Sequence, residues 1–141
     1  TLRGRHVLRL EGSALQRGFA HGFLLAQQIV DFFEFFILED RVQSAAVYTS
    51  VIQPKLQRKS GTFRYTDEFL ETAKGIMRGM RAANVSLFVS SLGRDFQLED
   101  LLAINTYAEL SLLQDPPVHR QEACTQFVFF GEGTRGSDVN G

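Results

Sequence analysis

The chain has a single cysteine, Cys124, among its 141 residues, which excludes an internal disulfide. Cysteine usage therefore says little about the redox compartment, and the sequence predicts no localisation. There is no run of about 18 apolar residues and no signal-peptide pattern, so no transmembrane segment is predicted. The densest apolar stretch, Ile29 to Leu38, is interrupted by Asp31 and Glu34.

The chain also lacks an excess of either charge. Its formal net charge is -1 at pH 7, whereas nucleic-acid-binding surfaces need a basic excess, so no nucleic-acid partner is predicted. Lys55, Arg58 and Lys59 cluster in a polar linker and are interpreted as a solvated loop. His6 and His119 have no partner at metal-ligand spacing, so no metal site is predicted.

No phosphate-binding loop is present either, because Gly131-x-Gly133 is interpreted as a turn, and no cofactor is predicted.

A short strand is predicted from His6 to Leu10. Ser13-Ala-Leu-Gln16 then matches a capping box, which predicts a helix running to about Leu38. Gly18 and Gly22 lie on one side of that helix, each at a cost of roughly 1 kcal/mol relative to alanine. This indicates close backbone approach by a neighbouring strand or helix.

Further helices are predicted along the chain. The second, Glu39 to Gln57, is expected to end near Pro54, and Arg58 to Tyr65 is expected to connect it to a third helix that begins at Thr66-Asp-Glu68. Leu87-Phe-Val89 fits a short strand or a packed loop. Asp95 is predicted to cap a last helix through about Leu113, with Ala108 and Leu112 among its inward residues.

Cys124 begins an apolar strand, predicted to run to Phe130. A free cysteine is often a small buried apolar residue. However, Thr125 after it is polar, and a polar linker, Val118 to Ala123, lies directly upstream. A cut before Cys124 would give it a free α-amine beside its own sulfur, which is the arrangement of an activated nucleophile.

Three other residues are candidates for supporting roles. His21 could be a buried hydrogen-bonding residue or a general base for Cys124, and the structural role is preferred. Asn105 and Glu109 are four residues apart and are predicted to share a half-buried helix face. A buried carboxylate needs a donor, so this pair is expected to anchor a loop or strand end.

Three motifs in one order resemble the acyl-coenzyme A:isopenicillin N acyltransferase family of N-terminal-nucleophile (Ntn) hydrolases. The first, Gly12-Ser-Ala-Leu-Gln-Arg-Gly18-Phe-Ala-His21-Gly22, is similar to the family's opening G-x-x-x-x-x-G-x-x-H-G helix. The second, Leu101-Leu-Ala-Ile-Asn105-Thr106-Tyr-Ala-Glu109, is similar to its L-N-T-x-x-E helix. The third is Cys124-Thr125 followed by an apolar strand and a Gly-rich turn.

The resemblance implies an α+β fold: residues 1–123 form a mostly helical α-side segment, and residues 124–141 begin the sheet of an αββα sandwich. A second chain is expected to complete the sandwich. The implied enzyme cleaves itself between Ala123 and Cys124, although the family usually has glycine before the cysteine. It then hydrolyses or transfers the acyl group of an N-acyl or aminoacyl small-molecule amide through a thioester.

Two alternatives remain open from the sequence. The cut could follow Gly141, which would place the nucleophile at the start of the partner chain. Alternatively, the chain could be a non-catalytic helical subunit whose Phe-rich face, Phe32 to Phe36, docks on a partner.

Overall fold

The computed structural model describes residues 8–114, so the predicted strand from Cys124 and the turn at Gly131 lie outside it. Within this range the chain is mostly helical, with a small two-stranded antiparallel sheet, which agrees with an α+β class at a coarse level. Residues 8–10, the described part of the first predicted strand, have no regular structure.

Helix α1 (Ala14–Asp31) begins at the predicted capping box. The Gln16 amide donates to Ser13 Oγ at 3.3 Å, and the Ser13 amide donates to Gln16 Oε1 at 2.9 Å. The helix does not end near Leu38, because it continues as a π-helix over Phe32–Val42. It ends where Gln43 adopts a left-handed φ of 61° and its amide donates to the Leu38 carbonyl at 2.7 Å.

The predicted second helix is divided into shorter pieces. Gln43 separates it from α1, and the Ser44 hydroxyl then accepts a hydrogen bond from the Val47 amide at 3.2 Å. The pieces are α2 (Ala45–Val47), a π-helix (Tyr48–Ile52), α3 (Gln53–Leu56) and a 3-10 turn (Arg58–Ser60). The first three of these pieces follow one another without a gap and end at Leu56, two residues after Pro54, so the predicted end near Pro54 is confirmed to within two residues.

Helix α4 (Asp67–Ala82) begins as predicted, with the Thr66 hydroxyl accepting from the Phe69 amide at 3.2 Å. Asp67 and Glu68 lie in its first turn, where the helix dipole favours negative charge. The residues that α4 buries lie in its central part and include Ala73, Ile76, Met77 and Met80.

Helices α1 and α4 pack backbone against backbone. An added Cβ at any of four glycines would lie within 3.0 Å of a backbone atom of the opposite helix, and these are Gly18 and Gly22 of α1 and Gly75 and Gly79 of α4. The predicted close approach at Gly18 and Gly22 is therefore confirmed, and the neighbour is a helix.

The small sheet follows α4. Strand β1 (Phe88–Val89) pairs antiparallel with β2 (Arg94–Asp95), so the strand interpretation of Leu87-Phe-Val89 is confirmed. A 3-10 turn (Ser90–Leu92) and Gly93, with φ of 64°, connect the strands. Asp95 thus lies in a strand and does not cap the next helix, which corrects the sequence prediction.

Helix α5 (Leu98–Asn105) is capped by Gln97, whose amide donates to Asp100 Oδ2 at 2.7 Å. The predicted single helix through Leu113 is wrong, because Thr106 leaves helical geometry at φ -115° and ψ 24°. A 3-10 turn (Tyr107–Glu109) and α6 (Leu110–Leu113) follow.

The break at Thr106 changes which side chains point inward. Ala108 and Leu112, predicted to face the core, are exposed, whereas Leu110 and Leu113 are buried. The helical spacing used for the prediction assumed an unbroken helix, and a 3-10 turn changes the rotation per residue.

Asp100 is fully buried and, besides the Gln97 amide at the cap of its own helix, it accepts hydrogen bonds from two other parts of the fold. The Tyr48 hydroxyl donates to Oδ1 at 2.7 Å, and Arg94 donates to Oδ2 at 2.7 Å and to Oδ1 at 3.0 Å. Burial and the neighbouring Asp100 raise the pKa of Tyr48 well above its ordinary value, so the phenol remains a donor. The carboxylate therefore ties α5 to β2 and to the π-helix after α2.

The helical segment Ala14–Val42, which is kinked at Leu25 (φ -120°, ψ 20°), is long and apolar enough to cross a membrane by length and composition, with a mean hydropathy of 1.3 in an 18-residue window. Of that window, 33% is buried inside the structure. The core helix of a globular protein meets the same criterion, so this is weak evidence for a span, and the predicted absence of one stays a prediction.

We expect Gly22→Ala to destabilise the fold by about 1–3 kcal/mol, because the new methyl group would overlap the Ile76 carbonyl oxygen. At an exposed helix position the same change would stabilise by roughly 1 kcal/mol, so the sign alone is informative. Urea unfolding midpoints measure the effect, with Gln28→Ala on the exposed side of α1 as the control. Unchanged or increased stability of Gly22→Ala would contradict the packing.

Candidate functional site

Two of the candidate residues line one cleft. His21 of α1 and Asn105 of α5 face a cavity of about 310 Å³, which we call the His21–Asn105 cleft. The rest of its wall is largely apolar and comes from α1, α4, α5 and the start of the first π-helix, including Leu25, Phe32 and Ile76. A largely apolar cleft with a few polar groups is the usual form of a small-molecule site.

His21 is half-buried in this cleft. Burial lowers the pKa of its imidazole below the ordinary value of 6.5, so the ring is neutral at pH 7. Its side chain makes no hydrogen bond to another residue within 8–114. A neutral imidazole has one nitrogen that accepts and one that donates, so His21 can serve as an acceptor, a donor or a base.

Asn105 is the last residue of α5, and its side-chain amide donates to the Leu101 carbonyl at 2.9 Å. This bond fixes the side chain and leaves its carbonyl oxygen as an acceptor. Asn105 also lines a neighbouring cleft of about 330 Å³ together with Tyr65 and Phe69.

Glu109 does not join Asn105. The prediction of a shared half-buried face is wrong, because both residues are exposed and the helix breaks between them at Thr106. Glu109 lies in the 3-10 turn and does not line the His21–Asn105 cleft. The Glu109 carboxylate is hydrated and needs no hydrogen-bond donor from the protein, so the physical argument for its predicted anchoring role does not apply.

The remaining predicted site residues, Ala123, Cys124 and Thr125, lie outside the described residues. Among residues 8–114, His, Cys, Asp and Glu form no group of three or more that could hold a metal ion.

A second and larger cleft was not found by sequence reasoning. It has a volume of about 490 Å³ and is lined by Arg58, Lys59 and Lys74 together with apolar residues of α4 and α5. The adjacent cations at 58 and 59 were visible in the sequence, but their placement beside these helices depends on tertiary packing.

No protein-family model matches the chain, and no curated protein or solved structure matches it.

The lowered pKa of His21 predicts a pH effect on stability. Between the folded-state pKa and 6.5 the unfolded chain binds a proton that the folded chain does not, so the free energy of unfolding should fall as the pH decreases through that window. His21→Gln cannot bind this proton, and its stability should fall less from about pH 7.5 to about pH 5.5. Chemical denaturation at each pH measures the difference, and parallel profiles for the two proteins would contradict it.

Proposed function

We propose that the chain is the α-side segment of a self-processing cysteine Ntn amidohydrolase or acyltransferase. Its substrate is an amide of an N-acyl or aminoacyl small molecule, and Cys124 is the nucleophile. The observation that supports the proposal best is the meeting of His21 and Asn105 in one cleft. These residues come from two motifs far apart in the sequence, and a chance likeness of either motif gives no reason for them to converge.

The chemistry requires a break between Ala123 and Cys124. The α-amine so released has an ordinary pKa of about 7.7–8.0 and takes the proton of a thiol whose pKa is about 8.5. The thiolate attacks the amide carbonyl, and the tetrahedral intermediate collapses to a thioester as the amine leaves with a proton. Water or an acyl acceptor then attacks the thioester and releases the cysteine. Backbone N–H groups hold the oxyanion during both steps.

His21 and Asn105 are assigned as positioning residues. The neutral imidazole can accept a hydrogen bond from the ammonium form of the Cys124 α-amine, and the free Asn105 carbonyl oxygen can accept a second one. Both acceptors orient the amine without taking its proton, because the lowered pKa of His21 lies below the ordinary α-amine value of about 7.7–8.0, and an amide oxygen is a much weaker base than either. The second chain supplies the rest of the sheet.

Intact mass of the full-length protein tests the nucleophile. We expect the wild type to yield two polypeptides divided between Ala123 and Cys124, and Cys124→Ala to stay uncut and lose activity by at least about 100-fold. Cys124→Ser is the matched control, since its hydroxyl keeps a nucleophile and should allow slower cleavage. Equal thermal unfolding midpoints show that the variants fold.

An active wild type that keeps the bond between Ala123 and Cys124 would refute the assignment. A new N-terminus directly after Gly141, with Cys124→Ala fully active, would instead identify the later cut.

The exposure of the Phe-rich segment favours a second candidate function, a helical subunit that binds another protein chain. Phe32 and Phe35 are 43% and 60% exposed, whereas Phe33 between them is fully buried. Nearer the N-terminus, α1 also exposes Phe19, Phe23 and Leu24. Large apolar side chains exposed together commonly mark protein interfaces.

Phe35→Ser should weaken assembly with the partner chain by about tenfold or more, as expected when an aromatic residue at an interface is truncated. Leu112→Ser is the control, because Leu112 is similarly exposed, at 53%, but lies on α6. Sedimentation velocity of the assembled protein measures both. Equal assembly of the two variants would exclude this face as the interface. If Cys124→Ala assembles normally and keeps full activity, and no new N-terminus appears after Gly141, the subunit is non-catalytic.

A further inference from the structure

A cleft of about 490 Å³ combines an apolar floor with a cationic rim, and we call it the cationic cleft. Leu70 of α4 and Leu98 and Leu102 of α5 form the floor. Its volume lies within the range of about 300–1,000 Å³ that is usual for small-molecule sites. Its shape and lining can therefore hold a ligand with an apolar chain.

The rim carries an excess of positive charge. Arg58, Lys59 and Lys74 line the cleft against one carboxylate, Glu99. Lys74 is paired with Glu71 at 2.6 Å, but the side chains of Arg58 and Lys59 make no hydrogen bond or ion pair with another residue of the described range. These two cations are thus free to bind an anion.

The turn that presents the two cations is held in place locally. The Ser60 hydroxyl lies 2.6 Å from the Lys55 carbonyl oxygen and 2.7 Å from that of Gln57, so its single proton is shared between them, and Gly61 closes the turn with φ of 72°. Lys55, the third cation of the sequence cluster, points elsewhere and donates to the Leu113 carbonyl at 2.6 Å. The backbone at the rim is therefore ordered before any ligand arrives.

The wall beside the turn is also fixed. The Tyr65 hydroxyl donates to the Leu56 carbonyl at 3.2 Å, and its ring stacks on Phe69 at a centroid distance of 5.6 Å. Because the Tyr65 side chain is already held by its hydroxyl group and by its ring, it loses little conformational entropy when a ligand binds.

We propose that the cationic cleft binds a single-chain amphiphilic anion, a carboxylate or phosphate head on a short apolar chain. Arg58 and Lys59 hold the head, since guanidinium can bind a carboxylate or phosphate through two parallel hydrogen bonds. The chain lies on Leu70, Leu98 and Leu102 and removes their apolar surface from water. The proposal does not depend on Cys124 or on any catalytic step.

Calorimetric titration of the full-length Cys124→Ala protein with decanoate and with decyl phosphate, each below its micellar concentration, tests the site without turnover. We expect the double variant Arg58→Gln/Lys59→Gln to bind both probes about tenfold or more weakly. The control is Arg78→Gln/Arg81→Gln, which removes two exposed cations of α4 that do not line the cleft and should leave affinity unchanged. Decanol, which has the chain without the charge, should also bind about tenfold or more weakly.

Equal affinity of the two double variants, or of decanol and decanoate, would overturn the proposal. Binding to anionic lipid vesicles without binding to either monomeric probe would also overturn it and would indicate a membrane-surface contact. Binding is measured with the Cys124→Ala protein, so a negative binding result does not contradict the proposed function. Likewise, a wild-type protein that stays uncut does not contradict ligand binding in the cationic cleft.

Discussion

The contact between the backbones of α1 and α4 determines where the candidate site lies. Four glycines permit it, and each would be obstructed by a single added carbon. His21 immediately precedes Gly22, and Gly22 contacts the Ile76 backbone, while the Ile76 residue also lines the His21–Asn105 cleft. The position of the His21 backbone relative to Ile76 is therefore set by main chain. Main chain cannot change rotamer, so it holds a functional side chain more rigidly than side-chain packing does.

The buried carboxylate of Asp100 fixes the position of α5, as the glycine contacts fix α1 against α4. Its bonds to Tyr48, Arg94 and the Gln97 amide place the first turn of that helix. Removing one partner of such a buried pair typically costs about 3–5 kcal/mol, because the remaining charge is left in a poorly polarisable interior. The position of Asn105, at the far end of the same helix, depends on this anchor as well as on its own bond to Leu101.

The sequence predicted features that depend on neighbouring residues and missed those that depend on the whole fold. The caps at Ser13 and Thr66 follow from hydrogen bonds three residues away, and both are confirmed. The π-helical continuation of α1 and the break at Thr106 carry no glycine or proline signal, since they arise where packing competes with regular geometry. The motifs were sufficient to select His21 and Asn105 as candidates. The burial of Asn105 and Glu109 was predicted wrongly, because it depends on the break at Thr106.

Helix α5 borders both clefts and keeps them apart. Leu98, Glu99 and Leu102 line the cationic cleft, whereas Leu101, Ile104 and Asn105 line the other. With a rotation of about 100° per residue, the two sets are centred on different sides of the helix, and Leu98 and Asn105, which point in similar directions, lie at its opposite ends. A ligand on one side therefore contacts none of the α5 side chains that shape the other cleft. The two clefts share the backbone of α5, which Asp100 fixes, so the side chains at His21 and at Arg58 can be substituted independently as long as that anchor is kept.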